Sequence, residues 1–478
     1  MPIDNYTLVR QLAGLLFLLD VLAFAPWAQI ALGPGYFRGG EARRRALPWI
    51  LALWVGGSLC LVAGVYPLAG ALVLFAIFRH LYIHNRWKNL FRGGGAPGFM
   101  SHWLTAFLVL FEAAAVLDGS GALGARVLTL FRIDFAVILI CSGTYKSLSG
   151  YLFGEGMEYG LANPLWGYWW RFFRQIRPTH LLLRLQDIGA ATTQWLMGLL
   201  LLFERTRAIG ALICMGSFLY LLLTVRLGRL AALMMVIPLL CLPELGLALV
   251  YGADLSPAPI ATPAPVLAIL HGLITAYLVL LPVVKAMQYL NLFGRVRFPG
   301  PIQRVLTAYA NAIPIIMWRV FTPDVTNFFV RIYRIDDDSG RETPLLHEET
   351  TYSYRDLARW RWSMRFLHVT ESIALVTVFT NLKYRRSQRD LFDSRLLEYA
   401  ATLGEPARRG RFRFQYVALV KGERSFEMLP VANFRVDIAR QRVEEEVLAP
   451  GYAYDAPARH SRITETVGYG SYLPKSST

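Results

Sequence analysis

The sequence predicts an all-α polytopic membrane bundle of about nine transmembrane helices, followed by a small C-terminal α+β soluble domain. Three observations carry that expectation. Apolar runs of about twenty residues recur through the first 290 positions, the length that matches the hydrocarbon core of a bilayer. Hydrophobic residues make up 55% of the 478-residue chain and the mean hydropathy is +0.39, more apolar than an ordinary soluble enzyme. Near Gly294 the sequence changes to alternating and charged segments of the kind that fold in water.

The first span is read at 9–32 and carries Asp20, a carboxylate that must either be protonated or face a partner in the bundle. Residues 1–7 lack a basic leader, so this first run is expected to remain as an anchor. Spans two and three are read at 48–65 and 68–82, joined at Tyr66-Pro67. Span four covers 99–117, with His102 at its start and Glu112 near its end. A DGSGALG turn leads to span five, 127–153, which holds Arg132, Asp134 and Lys146. The segment LWGYWWRFFRQIRPTH mixes aromatic residues with arginine, as does a helix lying in the interface plane or an aromatic belt at a span's end. Spans six to nine follow at 185–203, 209–225, 231–251 and 266–290. Asp187 and Gln194 are the polar residues of the sixth, and Lys285 snorkels from the end of the ninth.

The tail reads as strand NFFVRIYRI, turn DDDSG, a long helix over 355–383, and the strand RFRFQYVALV with Phe412, Phe414, Tyr416, Ala418 and Val420 on one face. Lys421-Gly422-Glu423 is expected to turn into a paired ANFRVDI, and residues after Pro450 to fray. The domains expected are a bundle at 1–293, a linker at 294–326, the soluble domain at 327–450 and a tail at 451–478.

Charge adds orientation. The formal net charge is +16, and most of the arginines outside the tail fall in the loops after spans one, three, five and seven, which points to anionic lipid headgroups rather than nucleic acid. The positive-inside rule then places the C-terminal domain in the cytoplasm. Cys60, Cys141, Cys214 and Cys241 each lie in an apolar run and read as packing thiols, with no disulfide framework or zinc pattern. His80 and His84, four apart, have helical spacing for two metal ligands but no carboxylate motif beside them; no metal is expected.

Lys146 organises the chain. A charged side chain within a membrane span costs about 2.5–3.5 kcal/mol at mid-depth and marks a functional site by default. Ser142, Gly143, Thr144, Ser147, Ser149 and Gly150 around it are small enough to let a helix or ligand approach. Alternatively the lysine lies near the span's end and snorkels to the headgroups.

The run AVILICSGTYKSLSGYLFGEGMEYGLANPLW resembles the central motif of the vitamin K-dependent γ-carboxylase superfamily, whose bacterial members are often called horizontally transferred transmembrane domain proteins. Gly143, Lys146, Gly156, Met157, Glu158 and Tyr159 carry the match, and Tyr151 or Leu152 stands where the family has tryptophan. WRVFTPD, residues 318–324, resembles the WxxFxP element before the family's C-terminal domain. The resemblance implies that Lys146 is a base acting on a reduced, vitamin K-like quinone, and that His102, one span earlier, assists it. A membrane pocket supplies the desolvation such a base needs. Tyr145, Glu155, Met157, Glu158 and Tyr159, with the intramembrane Asp134 and Asp20, are the candidate substrate-binding residues. The bacterial members also imply a multi-pass protein of the cytoplasmic membrane.

Two functions follow. The first is a membrane enzyme using the Lys146 base on a quinol or other lipid-soluble substrate to modify a peptide or small molecule. The second is a non-catalytic membrane subunit or peptide-maturation factor that binds partner proteins, since the large lumenal domain of the carboxylases is missing.

Overall fold

The computed structural model describes residues 5–25, 28, 41–84, 95–153, 156–249, 259–292, 296, 298–312, 326–348, 375–376, 378–379, 389–403 and 410–452. Glu155, the WxxFxP element, nearly all of the helix expected over 355–383 and the tail after 452 lie outside the described residues.

In chain order the helices are α1 (Tyr6–Phe24), α2 (Glu41–Ala63), α3 (Pro67–Phe78), α4 (Gly95–Leu117), α5 (Ala122–Leu148), α6 (Met157–Ala162), α7 (Trp170–Gln175), α8 (Leu181–Leu202), α9 (Arg207–Thr224), α10 (Arg229–Val236), α11 (Ala264–Leu292) and α12 (Gly300–Ala312). The strands β1 (Phe328–Ile335) and β2 (Glu342–Leu346) precede α13 (Arg389–Leu403). The strands β3 (Arg411–Lys421), β4 (Phe426–Asp437) and β5 (Arg442–Val447) complete the chain.

Among the described residues, five helical stretches are long and apolar enough to cross a membrane: Tyr6–Phe24, Ala46–Ala63, Ala96–Leu117, Glu204–Thr224 and Ala264–Asn291. The other expected spans depart from that standard for identifiable reasons. α5 and α8 are long, but α5 carries Arg126, Arg132, Asp134 and Lys146, and α8 carries Arg184 and Asp187. Span three is a shorter apolar helix continued by a turn of π-helix over Arg79–His84. The expected fifth span to Phe153 stops at Leu148, because the Ser149 hydroxyl donates to the Tyr145 carbonyl and Gly150 takes a φ of 106°.

The eighth span is the largest correction. Instead of one helix to residue 251, α10 passes at Ile237 into a 3-10 turn that ends at Cys241, together about 22 Å long against a hydrocarbon core of about 30 Å. Pro238 and Pro243 remove backbone donors there. The irregular chain beyond is satisfied by side chains of the first helical segment. Asn5 donates to the carbonyls of Leu239, Leu242 and Pro243 and accepts from the Leu245 amide, while Gln11 accepts from the Leu249 amide. Irregular backbone at membrane depth is tolerated only where protein groups satisfy it in this way. The aromatic–arginine segment forms α7, a helix of six residues; Trp170 and Phe173 are buried, while the neighbouring Trp169 and Phe172 are exposed.

Buried charges join the helices. Arg10 of α1 lies 3.4 Å from Glu112 of α4, which also accepts from the Tyr6 hydroxyl at 2.7 Å. Asp20 of α1 pairs with Arg229 of α10, whose guanidinium sits 5.0 Å over the Tyr82 ring. α5 and α8 pack at backbone distance: a Cβ on Gly143 would stand 3.0 Å from the Ala191 carbonyl, and one on Gly198 2.9 Å from that of Ala136.

The sheet has the order β2-β1-β3-β4-β5 and is antiparallel throughout. One face buries Phe328, Phe414, Tyr416 and Phe434 against Phe379 and Phe392. The opposite face carries a ladder in register, in which Arg331 donates to Gln415, Gln415 to Asn433, and Asn433 to Glu446. The expected alternation in β3 holds up to Tyr416. There a register shift against β4 buries Val417 as well. The expected hairpin closes with the Gly422 amide donating to the Ser425 carbonyl at 3.0 Å.

The Arg413 guanidinium donates to Glu342 at 2.7 Å, and that hydrogen bond holds the carboxyl below its ordinary value of 4.5. A depressed carboxylate contributes stability above its unfolded pKa and loses it as pH falls through the folded one. The sheet domain is therefore expected to lose stability on acidification below about 4.5, and Glu342→Gln to flatten that limb of a stability–pH curve. A limb unchanged by the substitution counts against the contact.

Candidate functional site

The site forms where α5 ends and the sheet docks. Ser142 lies one helical turn before Lys146 on the same face of α5, and its hydroxyl donates to Gln194 of α8 at 2.6 Å. That bond holds the lysine-bearing face toward α8. Lys146 is 3% exposed, its Nζ lies 5.5 Å from the Tyr151 ring centroid, and it makes no ion pair among the described residues. It does not reach outward to the surface, so the snorkelling alternative is not the conformation found here. Lys146 lines a cavity of about 360 Å³ bounded by α8 and α9, with Gln186, Thr193, Gln194 and Ser217 as polar walls and Met157, Met197 and Phe218 among the apolar ones. That volume falls in the range of small-molecule pockets.

The MEYGLA turn forms the end of this cavity and the seat of the sheet. All six residues of α6 are buried. The Met157 amide donates to Asp187 of α8 at 2.6 Å, and the Gly156 amide donates to Glu158 at 2.6 Å. Glu158, with its side chain 1% exposed, pairs at 2.9 Å with Lys421 from the β3–β4 hairpin. Lys421 also lies 5.1 Å over the Tyr159 ring, and Tyr159 packs edge-on against Phe426. Asn163 closes the turn. Its side-chain amide donates to the Thr326 and Phe328 carbonyls, both at 2.6 Å, and its oxygen accepts from Leu165. One short segment thus touches the cavity on one side and the sheet on the other.

The other sequence candidates are dispersed. His102 is fully buried, lies with its ring 4.9 Å from that of Phe75, and has no hydrogen-bond partner on either ring nitrogen among the described residues. Its neighbour Trp103 donates to Asp134, which sits twelve residues before Lys146 on α5, about 18 Å along the helix. His102 and Lys146 therefore belong to different depths of the bundle. Asp134 also accepts from Tyr277 of α11 at 3.4 Å, with Lys285 as a charged neighbour; Lys285 is buried there rather than snorkelling from the span's end as expected. Asp20 faces Arg229, and Tyr145 is buried near Tyr289, away from the cavity lining. Of the candidate substrate-binding set, Met157 lines the cavity, and Glu158 and Tyr159 form the contact to the sheet. Among the described residues no group of three or more His, Cys, Asp or Glu could hold a metal; His80 is exposed in the π-helical turn that follows α3.

Sequence reasoning did not select Asp187, Gln186, Thr193, Gln194 or Lys421 for the site. Asp187 and Gln194, seven apart, share a helix face, and that spacing was a usable signal. Lys421 carried none, since it reads as an ordinary turn lysine.

The fold and site define a mostly helical protein with, among the described residues, five helices long and apolar enough to cross a membrane, together with a buried-lysine cavity and a C-terminal antiparallel sheet. No family model, curated protein or solved structure matches the chain.

Proposed function

We propose that this is an integral membrane protein of the carboxylase-like superfamily, in which Lys146 acts as a base on a lipid-soluble substrate bearing an acidic group. The observation that carries this reading is a buried amine facing a small-molecule cavity with no carboxylate paired to it among the described residues. Such an amine has no ion pair to neutralise it and is placed to take a proton from a bound ligand. The walls suit a ring with polar substituents: Gln186, Thr193 and Gln194 offer donors and acceptors, and Met157, Met197 and Phe218 offer apolar contact. A reduced quinone, the cofactor implied by the resemblance, would supply redox chemistry there, with these residues orienting it and Lys146 holding the proton.

In this reading α3, α5, α8 and α10 join the five longer spans to make nine passages through the membrane of a bacterial cell. The basic loops and the sheet then lie on the cytoplasmic side. A second reading, a subunit or maturation factor that binds a peptide or membrane protein, is favoured by the sheet's two outer strands. Among the described residues β2 and β5 each pair along one side only, and such edges accept an added strand.

The test is native mass spectrometry of the protein from its own membrane in mild detergent. A lipid-soluble molecule recovered with the wild type and lost in Lys146→Met supports the base reading. Equal recovery from both, or protein subunits with no small molecule, overturns it.

A further inference from the structure

The cavity has a side opening. α8 and α9 touch closely near Gly210, where an added Cβ would stand 2.9 Å from the Leu200 Cβ. Toward the sheet end the Trp166–Trp169 turn is tied to the end of α9. There the Tyr168 amide donates to the Thr224 carbonyl, the Trp169 indole to that of Leu223, and the Arg226 amide to that of Trp166. Between these two points Gly189 of α8 and Gly216 of α9 both line the cavity, and among the described residues a Cβ built on either meets nothing within 4 Å. Other glycines of the same helices, Gly198 and Gly210, are packed against backbone. The open pair therefore does not serve close packing. It leaves a slot between two helices, and the surface around the slot is apolar, with Leu185, Leu196, Leu219 and Leu223 all exposed.

We propose that this slot admits a single-chain amphiphile with an acidic head group directly from the lipid layer, the head meeting Lys146 and the chain lying between α8 and α9. The proposal rests on the preceding reading that Lys146 receives a ligand's acidic group. Charge complementarity selects the occupant: Lys146 is a 97%-buried basic group, by its 3% exposure, with no acid paired to it among the described residues. Gln186, beside it in the wall, has no hydrogen-bond partner on its side-chain oxygen among the described residues and can accept from a protonated head. A neutral lipid would leave the Lys146 charge unanswered. A ligand entering from water would not need an opening rimmed by leucines.

The experiment uses the full chain in nanodiscs of phosphatidylcholine, with displacement of a fluorescent long-chain carboxylate as the readout. The competitors are oleate, dodecyl phosphate and the neutral oleyl alcohol. Oleate or the phosphate should compete about tenfold or more better than the alcohol, and Lys146→Met should erase that preference. Whichever acid competes better assigns the head as carboxylate or phosphate. Gly189→Ala, Gly189→Val and Gly189→Leu, each combined with the same change at Gly216, should weaken acid binding progressively, to about tenfold or more for leucine. Thermal unfolding is measured alongside, and a leucine variant that melts with the wild type confirms that the fold is kept. Acid binding that is Lys146-dependent yet indifferent to side-chain size at the two glycines overturns the slot and leaves the Lys146 reading standing. Equal competition by oleate, phosphate and alcohol overturns both.

Discussion

Arg229→Met is expected to lower the stability of the helical bundle by about 3–5 kcal/mol, because it strands a buried carboxylate. Asp20 is 1% exposed on α1, and Arg229 at the start of α10 is the cation paired with it. The arginine also lies over Tyr82, which packs with Trp54 and Phe78 in one aromatic cluster. Methionine can fill much of the stem's volume but cannot answer the charge. Asp20→Leu alone should cost a similar amount by leaving the guanidinium unanswered. The double variant Asp20→Leu/Arg229→Met should recover most of the loss, since a well-packed apolar pair often replaces a buried ion pair at little cost. Unfolding in detergent–SDS mixtures measures all three. A single variant within about 1 kcal/mol of the wild type, the range of exposed ion pairs, would sink the assignment.

Lys421→Met should loosen the sheet from the cavity. The bridge to Glu158 is the one charged contact described between the β3–β4 hairpin and α6, and the glutamate it reaches is buried beside Asp187. Losing the lysine leaves an unanswered carboxylate, a cost of about 1.5–3 kcal/mol at a site where the lysine is itself 30% exposed. Local opening at that cost raises amide exchange across Met157–Ala162 by about tenfold or more. Met157 lines the cavity, so retention of any ligand beside Lys146 should fall in step. Glu158→Gln in the Lys421→Met background should restore part of the protection by removing the stranded charge. Unchanged exchange in Lys421→Met would mean that Asn163 and its two carbonyl contacts hold the sheet unaided.

Much of the architecture was legible because its signals are local. Apolar runs of membrane length located α1, α2, α4, α9 and α11, and alternation located β1, β3 and β4 with the hairpin between them. Lys146 was legible for the same reason, as a charge within an apolar run. The eighth span was misjudged by reading hydropathy without its prolines. That error mistakes what a run is made of for the shape it takes.

The sequence by itself determined that this chain is mostly helical, apolar over its first 290 residues, closed by a sheet, and marked by a lysine where few charges belong. Only the tertiary structure decided what faces that lysine. Hydrophobic periodicity is a property of neighbours along the chain, whereas pairing depends on which helix faces meet. No local pattern announces that Asp20 meets Arg229, that Glu158 meets Lys421, or that two glycines on separate helices stand open beside Lys146. Those contacts join residues far apart in sequence, and packing alone brings them together.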